Sequence, residues 1–481
     1  MSPFDEARYA RLMEGLEISE ILWSKAYSAH KDFRLDPEFY SQDNLRKEDA
    51  VKKLANKPLS NLCKLIAGPF GSAITADKYD PSSKYRYIRA TDIQSFFINQ
   101  NSPIFLEENT FKAFPQFHLQ ENDILLTVVG MNFGKPAIIH KSDCPAIFSC
   151  KSTLIRNPVL NPWYLLTYLS CSIGHGLIRR GQRGAAQPGI NLSDIETVLV
   201  PIVSDIFQKK VEAVIKHCQS LLAKSLEVYN SAEKLLFADL GMTGFSPNEE
   251  SINVIKFNDS FCFTGRLDSE YYQPKYEEYL KYIIGYPNGW QLLESVCRLK
   301  DDNFTPVDST AYKYIELSDV DNAGCITALV ETEGRGLPSR ARRRVEARDV
   351  LISSVEGSLA SCGIVPEELS GALCSTGFYI INSEYINPET LLVLFKSPLL
   401  QNLLKQRCSG TILTAINKSE FQNLPIPMIS SVTQLQLAAL VQESIALRVE
   451  SERLLEVAKC AVEIAIDQDE ESAFVYFGTN A

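Results

Sequence analysis

The chain has 481 residues, a formal net charge of −11, 45% hydrophobic residues and 22% charged residues. This composition is typical of a globular protein with a substantial core, and it argues against a protein that coats nucleic acid through its overall charge. Twelve cysteines and only five histidines, with no CxxC pair, give poor support to a zinc site. The sequence shows neither a secretory signal nor a run of 18 apolar residues, so we expect a cytoplasmic protein.

The sequence repeats itself at long range. Residues 34–40 (RLDPEFY) return as 266–272 (RLDSEYY), and residues 59–65 (LSNLCKL) return as 293–299 (LESVCRL). From Asn161 to Gln208, the second copy follows at a constant offset of 226 residues. Solenoid repeats are roughly 20 to 50 residues long, so duplication of a whole domain explains the pattern better. We expect two large units of similar fold.

Each copy begins with short β-rich runs and then becomes helical. Strands are predicted at residues 85–93, 123–129 and 378–381, between clusters of Gly, Pro, Asn and Asp. Apolar residues at a spacing of three and four predict amphipathic helices at residues 204–240 and 430–467. The glycines at 241 and 244 predict the end of the first helix and a linker.

Two arrangements are open for these long helices. A helix of roughly 35 residues is about 50 Å long, which exceeds the span of one compact β-rich core. Each helix could pack on its own domain. Alternatively, the two helices could lie antiparallel through their apolar stripes and join the copies in a pseudo-twofold arrangement, which we favour.

Three patterns could indicate catalysis, and none is convincing. Residues 161–164 (NPWY) resemble the Asn-Pro-Pro-aromatic motif of amino-methyltransferases, but the second proline is absent and the second copy reads NPET, so we expect a turn that opens a helix. The acidic pairs at 249–250 and 367–368 are expected to be solvated surface. Residues 68–72 (GPFGS) lack the Gly-Lys-Ser/Thr ending of a phosphate loop and predict a tight loop.

Basic residues are concentrated in one cluster per copy. The first cluster contains Arg179, Arg180 and Arg183, followed by Gln187, and the second contains Arg335, Arg340, Arg342, Arg343, Arg344 and Arg348. Arginine forks bind phosphates and guanine edges, and glutamine can bind adenine. A solvated charged face is the alternative for either cluster alone. Their presence on both copies favours nucleic-acid binding.

Taken together, these features resemble the specificity (S) subunit of type I restriction-modification systems over nearly the whole chain. They are the two-copy layout, the RLDxE opening of each copy, the loop at 68–72, the Asp-initiated strands at 123–126 and 349–352, the turn at 184–191 (GAAQPGIN) and the proline-then-glutamine helix starts. The second copy departs from the pattern at residues 301–304 (DDNF), where the glycine loop is missing.

The resemblance implies an α+β fold. Two tandem, pseudo-symmetric α/β target recognition domains would be separated and closed by two long helices that form an antiparallel coiled coil. The implied boundaries are 1–203 for the first domain, 204–240 for the central helix, 241–429 for the linker and second domain, 430–467 for the C-terminal helix and 468–481 for a tail. The helix residues expected to dock partner subunits are Val211, Val214, Leu221, Leu437, Leu440 and Leu447.

The resemblance also implies recognition of a bipartite site in double-stranded DNA, without catalysis by this chain. The implied partners are methyltransferase (M) subunits, two in number, and restriction (R) subunits in a prokaryotic cytoplasm. S-adenosylmethionine, ATP and Mg²⁺ are expected on those partners, and no cofactor or metal is expected on this chain. The residues expected to contact DNA are Gly71, Ser72, Arg86, Arg89, Thr91, Arg179, Arg180, Arg183, Gln187, Arg335, Arg340, Arg342, Arg343, Arg344 and Thr411.

A function of another class is open. The helices could bind protein while the domains do not bind DNA, which would make the chain a non-catalytic scaffold of a methyltransferase-like complex. A fragment of a fused methyltransferase is a weaker alternative, because no methyl-donor loop occurs in the sequence. A split, methylated DNA motif in the host would separate the DNA-recognition hypothesis from the scaffold hypothesis.

Overall fold

A computed structural model describes residues 5–14, 17–30, 32–69, 71–100, 102–130, 133–184, 187–248, 252–321, 323–326, 329–410 and 414–481. The chain divides into two compact units: unit 1 contains Met1–Gln219 and Ser451–Ala481, and unit 2 contains Ser220–Glu450. Helices and sheets are mixed, as predicted. None of the helices in the described ranges combines the length and the apolarity that crossing a bilayer requires.

The α-helices are numbered in chain order. They are α1 Glu6–Met13, α2 Trp23–Ala29, α3 Gln42–Lys52, α4 Glu108–Ala113, α5 Pro162–Ser170, α6 Ser172–Arg179, α7 Leu192–Glu196, α8 Asp205–Asp239, α9 Phe261–Thr264, α10 Pro274–Ile284, α11 Leu293–Val296, α12 Pro388–Lys396, α13 Pro398–Arg407, α14 Lys418–Gln422, α15 Ser431–Asp467 and α16 Glu470–Asn480.

The strands of unit 1 are β1 Asn56–Pro58, β2 Lys64–Ala67, β3 Tyr85–Ile88, β4 Ile104–Leu106, β5 Ile124–Thr127, β6 Pro136–Ile138, β7 Ala146–Phe148, β8 Ser152–Arg156 and β9 Leu199–Pro201. Those of unit 2 are β10 Trp290–Leu292, β11 Arg298–Lys300, β12 Ala311–Ile315, β13 Glu331–Glu333, β14 Ala341–Arg344, β15 Val350–Ser353, β16 Cys362–Ile364, β17 Leu373–Ser375, β18 Phe378–Asn382, β19 Cys408–Ser409, β20 Ala415–Ile416 and β21 Pro425–Pro427.

Two sheets enclose the β-rich core of unit 1. One has the strand order β2-β8-β5-β6 and is antiparallel; the other has the order β4-β3-β7, with β3 and β7 parallel. Every residue of β5 is buried, and Leu125 and Leu154 from the first sheet pack with Ile88 and Phe148 from the second. Apolar runs without polar alternation therefore mark the strands that lie between layers.

Unit 2 repeats this plan with one addition. Its sheets have the orders β11-β18-β15-β16 and β13-β12-β17-β14, and a second core packs Leu351 and Ile380 against Ile315 and Cys374. The extra strand is β14, which pairs with β17 at the edge of its sheet. In unit 1 the segment between the corresponding strands forms α4 instead. The duplication thus preserves the sheets and varies one edge.

Several predicted strands are shorter than the sequence suggests. The strand predicted at 85–93 ends at Ile88, because the Asp92 carboxylate accepts a hydrogen bond from the Arg89 N–H at 2.8 Å and closes a turn. In unit 2, Asp319 accepts from the Glu316 N–H at 2.8 Å in the same way. The repeated aspartates are therefore turn formers, which explains their recurrence without a chemical role.

The two long helices, α8 with 35 residues and α15 with 37, extend over the predicted ranges. Within unit 2, Ser225 contacts Ser444 and Asp239 contacts Thr433, so these helix segments run in opposite directions. Within unit 1, Ser451 Oγ donates to the carbonyl oxygen of Cys218 at 2.9 Å. In each unit, segments of both helices lie side by side.

The segment described above as a tail, residues 468–481, contains α16. The Phe477 ring is buried and its centroid lies 6.0 Å from that of Phe207 on α8. Glu470 Oε1 accepts from the Ser204 N–H at 2.8 Å and supplies a carboxylate to the start of α8. A carboxylate at a helix N-terminus satisfies a free N–H group and interacts favourably with the helix dipole.

Candidate nucleic-acid interface

The opening motif of the first copy is a clamp built around an arginine. Arg34 donates from Nε and Nη2 to the two carboxylate oxygens of Asp36, each at 2.6 Å. It also donates to the carbonyl oxygens of Gly181 and Gln182, at 3.1 and 2.9 Å. Tyr40 Oη donates to the Arg34 carbonyl oxygen at 3.1 Å. The clamp fastens the start of the copy to the segment that follows α6.

Unit 2 repeats the clamp. Arg266 donates to the Asp268 carboxylate at 2.9 and 2.6 Å, and Tyr272 Oη donates to the Arg266 carbonyl oxygen at 3.0 Å. The carbonyl oxygens of Arg407 and Cys408 accept from Arg266 at 3.4 and 2.7 Å. These acceptors stand 226 residues after their counterparts in unit 1. The motif is therefore scaffold in both copies, and its groups are engaged within the chain.

The Asn-Pro motifs open helices, as predicted. Asn161 Oδ1 accepts from the Trp163 N–H at 2.9 Å, and Pro162 is the first residue of α5. In unit 2, Asn387 Oδ1 accepts from the Thr390 N–H at 2.8 Å. An asparagine cap followed by proline is a common helix start. The resemblance of residues 161–164 to a methyltransferase motif is thus explained by capping.

Gln208 joins this cap to α8. Its Oε1 accepts from the Asn161 N–H at 2.8 Å, and its Nε2 donates to the Val203 carbonyl oxygen at 3.0 Å. Gln434 makes the same two hydrogen bonds in unit 2, both at 2.9 Å and both with the residues at the equivalent positions. The glutamine after each helix start therefore holds the long helix to its unit.

A cluster of acidic and basic groups lies beside the Arg34 clamp. His30, Asp32 and Asp194 each offer a possible metal-ligand atom, and these atoms lie within 4.8 Å of one another. Arg183 donates to Asp194 at 2.8 Å from two nitrogens and to Asp32 at 2.7 Å, and Arg34 donates to Asp194 at 3.1 Å. Because two guanidinium groups pair with these carboxylates, the cluster is an ion-pair network.

Two of the arginines predicted to contact DNA are committed to internal contacts. Arg86 is 5% exposed and donates to the Asp143 carboxylate at 3.1 Å. Arg89 binds Asp92 through two hydrogen bonds, at 3.1 and 2.7 Å, and these raise the pKa of Arg89. The burial of Arg86 removes it from the set that we propose for DNA contact. Its partner, Asp143, lies 57 residues further along the chain, so sequence patterns could not reveal that the two residues pair.

The basic cluster of the first copy is also partly structural. Arg180 forms an ion pair with Glu48 at 3.1 Å, and its guanidinium carbon lies 3.9 Å from the Phe39 ring centroid. Arg179 differs, because its guanidinium carbon lies 4.5 Å from the Phe133 ring centroid and the described residues show no carboxylate paired with it. Of the cluster at 179–183, Arg179 is the arginine best placed to bind an external anion.

The other predicted contact residues of unit 1 lie at its surface: Gly71, Ser72, Thr91 and Gln187. The loop that carries the first two begins at Gly68, where a Cβ atom would lie 2.2 Å from the Ser149 carbonyl oxygen. Glycine is therefore required at this close approach. Thr411, the corresponding prediction for unit 2, lies outside the described residues.

Gln187 lies in a hairpin that joins a second loop. Arg183 and Gly189 exchange backbone hydrogen bonds at 2.7 and 3.0 Å, and the Gly130 N–H donates to the Pro188 carbonyl oxygen at 2.9 Å. Residues 128–130 and 133–135 therefore lie in one loop, next to residues 183–184 and 187–189 in another. We call these described residues the loops at 128–135 and 183–189. Val129 also forms an isolated antiparallel bridge with Gly189, and Val355 and Ala415 form the same bridge in unit 2, 226 positions later. The loop pair is a shared feature whose side chains differ between the copies.

The arginine run of the second copy lies on β14, the strand without a counterpart in unit 1. Arg342 and Arg343 donate to backbone carbonyl oxygens at 2.9 and 2.6 Å. The guanidinium carbon of Arg344 lies 5.9 Å from the Phe304 ring centroid. Over the described ranges, none of the three forms a salt bridge with a carboxylate. Arg343 and Arg344 interact with carboxylates only at longer range, through the electrostatic effect of Arg343 on Asp301 and of Arg344 on Glu346.

The flanking arginines are exposed, and each pairs with one carboxylate: Arg335 with Glu333 at 2.6 Å, Arg340 with Glu316 at 3.1 Å and Arg348 with Glu389 at 3.3 Å. The first two pairs are exposed on both sides, and exposed pairs contribute about 0 to 1 kcal/mol and are readily exchanged. Glu389 is buried, so the third pair holds Arg348 more firmly. Glu316 occupies the position of Arg89 in the repeat. The equivalent turns of the two copies therefore carry opposite charges.

Residues 301–304, where the glycine loop is missing, support β14. The Phe304 N–H donates to the Arg342 carbonyl oxygen at 2.6 Å, and the Phe304 ring centroid lies 5.9 Å from that of Tyr312. Asp301 forms an ion pair with Lys418. The second copy thus replaces the glycine loop with a segment that lies along the arginine strand.

The helix residues predicted to dock partners are used largely within the chain. Val211, Val214 and Leu437 are buried, and Leu221, Leu440 and Leu447 are half-buried. The apolar residues exposed on α8 and α15 are others: Ile206, Leu226, Val432, Leu435 and Val449. Helical periodicity identified the buried stripe and could not distinguish it from an outward-facing one.

Comparison with solved structures finds S subunits of type I restriction-modification systems. One from M. genitalium is 12% identical, with a TM-score of 0.38, and the match covers 86% of this chain and 95% of that chain. The HsdS subunit from Thermoanaerobacter tengcongensis is 16% identical, with a TM-score of 0.29 and coverage of 86% and 97%. A chain from a structure of the type I R-M system, described for its complex assembly and conformational transition, is 14% identical, with a TM-score of 0.28 and coverage of 86% and 98%.

No protein-family model and no curated protein matches the sequence. The structural neighbours that cover most of this chain are type I specificity subunits.

Proposed function

We propose that this chain is the DNA-recognition subunit of a type I restriction-modification complex and carries no catalysis itself. The observation that carries the proposal is β14, an edge strand on which Arg342, Arg343 and Arg344 have no carboxylate partner among the described residues. This strand occurs in unit 2 only, because the corresponding sheet of unit 1 ends at β7. Guanidinium groups bind guanine edges and phosphates through paired hydrogen bonds.

Each unit would recognise one half of a split DNA site. Unit 1 presents the loops at 128–135 and 183–189, including the exposed Gln187, whereas unit 2 presents the arginine strand. Each bidentate base contact contributes about 1 to 3 kcal/mol of discrimination, so a few per unit are sufficient for a rare site. Because the presented side chains differ, the two half-sites should differ in sequence.

The two long helices would form an antiparallel coiled coil that spaces the units and docks two methyltransferase subunits. Antiparallel contacts within unit 2, and a contact between the same two helices within unit 1, support this arrangement. At 1.5 Å per residue, α8 is about 50 Å long. This length is sufficient to separate two DNA-binding units that contact major grooves about 34 to 36 Å apart. The exposed Ile206, Leu226 and Leu435 offer apolar surface to a partner.

The chemistry would belong to the partners. Methyltransferase subunits would bind S-adenosylmethionine and methylate adenine, and restriction subunits would use ATP and Mg²⁺. This chain would determine the DNA sequence at which those subunits act. The complex would act in a prokaryotic cytoplasm.

Expression of the chain with its methyltransferase partner, followed by sequencing of modified adenines, tests the proposal. We expect a split motif with two different halves. Arg342→Ala with Arg344→Ala should reduce methylation at the motif and relax one half of it only, because β14 belongs to one unit. Lys281→Ala is the matched control: this lysine is exposed on α10 of the same unit, and its replacement should leave the motif unchanged.

Two outcomes would contradict the proposal. If the complex forms but modifies no DNA, the chain is a protein scaffold. If the double arginine variant keeps the full motif at the full rate, β14 does not recognise DNA.

A further inference from the structure

One face of α6 carries basic side chains that the clamp and the ion-pair network do not use. Ile173, Leu177 and Ile178 of this helix are buried, while His175 and Arg179 lie on the opposite side and are half-buried. Spacing of four residues places these two side chains one above the other on the helix. The helix α6 is therefore amphipathic. Its polar face carries a positive charge at the C-terminal end of the helix, where cations are favoured by the helix dipole.

The turn between β5 and β6 completes this basic face. Gly134 lies so close to α6 that a Cβ atom would be 3.2 Å from His175 Nε2, and its φ of +88° also requires glycine. On either side of it, Phe133 contacts Arg179, and Lys135 is half-buried with no carboxylate partner in the described part of the chain. We call His175, Arg179 and Lys135 the α6 patch.

Two further lysines border the α6 patch, and their charges are balanced. Lys47 of α3 lies against Gly176 and pairs with Asp43 at 2.5 Å, and Lys459 of α15 pairs with Glu456 at 2.5 Å. The excess positive charge is therefore on Arg179 and Lys135.

Burial, followed by the nearby cations Arg179, Lys135, Lys47 and Lys459, lowers the pKa of His175 to about 4. At neutral pH its ring is a neutral hydrogen-bond donor.

The second copy does not contain this patch. The positions of His175 and Lys135 are occupied there by Gln401 and Ser361, and that of Lys459 by Glu233. The position of Arg179 keeps a cation, Lys405, but this lysine pairs with Glu270 at 3.4 Å. The shared fold therefore does not require His175 or Lys135, and it does not require an unpaired cation at the position of Arg179. In a chain with a net charge of −11, a local excess of cations at a half-buried neutral imidazole is the composition of an anion site.

We propose that the α6 patch binds backbone phosphate groups of DNA next to the loops of unit 1. The proposal rests on the proposed function and extends it to residues that position the DNA without reading its bases. The patch is continuous with the candidate interface: Lys135 ends the loop at 128–135, and Arg179 precedes the hairpin at 183–189 by four residues. Arg179 would donate a fork of hydrogen bonds, Lys135 a point charge and His175 a single hydrogen bond.

The test compares the full chain in complex with its methyltransferase partner and the variant Lys135→Ala/Arg179→Ala. Binding is measured against salt concentration with two DNA duplexes of equal length, one with the methylated motif and one without it. Loss of two phosphate contacts should lower the slope of log K against log salt by about two, at roughly 0.9 per contact, for both duplexes alike. The preference for the motif should not change. Lys112→Ala on α4, an exposed lysine of the same unit, is the control.

A second measurement follows His175 directly. In histidine-labelled protein, its NMR signal should titrate at higher pH when the motif-free duplex is bound, since a phosphate favours the protonated ring. An unchanged salt slope together with an unchanged His175 titration would overturn the proposal. If the variant instead loses the methyltransferase partner and keeps its salt slope, the patch binds an acidic protein surface, which also overturns it.

The proposed function fails in a different way. In that case the parent complex shows no preference between the duplexes, whatever the salt slope of the variant.

Discussion

Ser225 and Ser444 exchange hydrogen bonds in the seam between α8 and α15: each hydroxyl donates to the other residue's carbonyl oxygen, at 2.8 and 2.9 Å. Both side chains are buried. Small side chains let the two helices approach closely, and buried hydroxyls must find partners. The pair therefore favours a single register of the two helices within unit 2.

Replacement of this pair should weaken the helix contact. Ser444→Ala removes one buried hydrogen bond and should lower the free energy of unfolding by about 1 kcal/mol, and Ser225→Leu should cost more because no space exists for the larger side chain. Urea unfolding followed by circular dichroism measures both. Ser231→Ala, an exposed serine of α8, should have little effect. Equal stability of the parent protein and Ser225→Leu would show that the seam is not tightly packed.

The arginine clamps predict unequal losses in the two units. Arg34 is 6% exposed and also pairs with Asp194, whereas Arg266 is 15% exposed and has no such second carboxylate among its hydrogen bonds. Arg34→Ala should therefore destabilise unit 1 by about 2 to 3 kcal/mol, since it removes one of the two guanidinium partners of the buried Asp194 and the donor to the Gly181 and Gln182 carbonyl oxygens. Arg266→Ala should cost less in unit 2. Arg34→Lys should not restore stability, because an ammonium cannot form the planar fork. Thermal unfolding of the variants compares these losses, and equal losses would contradict the argument.

The glutamine joints allow a test that keeps side-chain shape. Gln208→Glu retains the acceptor for the Asn161 N–H but loses the donor to Val203, and it introduces a charge at a buried position. We expect a loss of about 2 to 3 kcal/mol in the free energy of unfolding. Gln434→Glu should cost less because its side chain is half-buried. Gln436→Glu is the control, because Gln436 is exposed on α15. An equal loss of stability in all three variants would show that the hydrogen bonds of Gln208 and Gln434 do not hold the helices.

Acid stability should depend on His175. Its pKa is lowered to about 4, first by burial and then by neighbouring cations, while an unfolded histidine titrates near 6.5. Between these values the unfolded chain binds the proton and the folded chain does not, so stability falls as pH decreases through this window. His175→Gln, which places the residue of the second copy at this position, should make the decline between pH 6.5 and 4 shallower. Melting temperatures over this range measure it, with His217→Gln as an exposed control.

Thiol reactivity should follow burial. Cys262 is exposed, whereas Cys171 is fully buried and its pKa is raised to about 12 by burial. At pH 8 iodoacetamide should therefore modify Cys262 long before Cys171, because only an accessible thiolate reacts. Mass spectrometry of the folded protein reports the order. Cys171 should become reactive in denaturant, and early modification of Cys171 in the folded chain would show that unit 1 opens locally.

The sequence was most informative where a pattern is local. Helical periodicity located α8 and α15 within one residue of their ends, and Asn-Pro located the starts of α5 and α12. Strand ends were less accurate, because a side chain such as Asp92 can close a turn inside an apparently β-rich run. The repeat itself predicted equivalent elements that no single motif could have established.

The predicted DNA-contact residues show the limit of this reasoning. Arg86 and Arg344 are both arginines in β-rich segments, yet one is buried against Asp143 and the other is exposed at a sheet edge. The difference arises from partners far away in sequence. Likewise Lys135 lies 40 residues before His175, and only the fold brings the turn to α6. Charge patterns identify candidates, and pairing decides which of them are available.

The position of the Gln208 and Gln434 joints has an evolutionary consequence. They fasten each long helix at the Asn-Pro caps, in elements separate from the β14 edge and from the loops at 128–135 and 183–189. Mutations at that edge and in those loops can therefore accumulate without loosening the helices. Selection can retarget such a chain while its assembly is inherited intact.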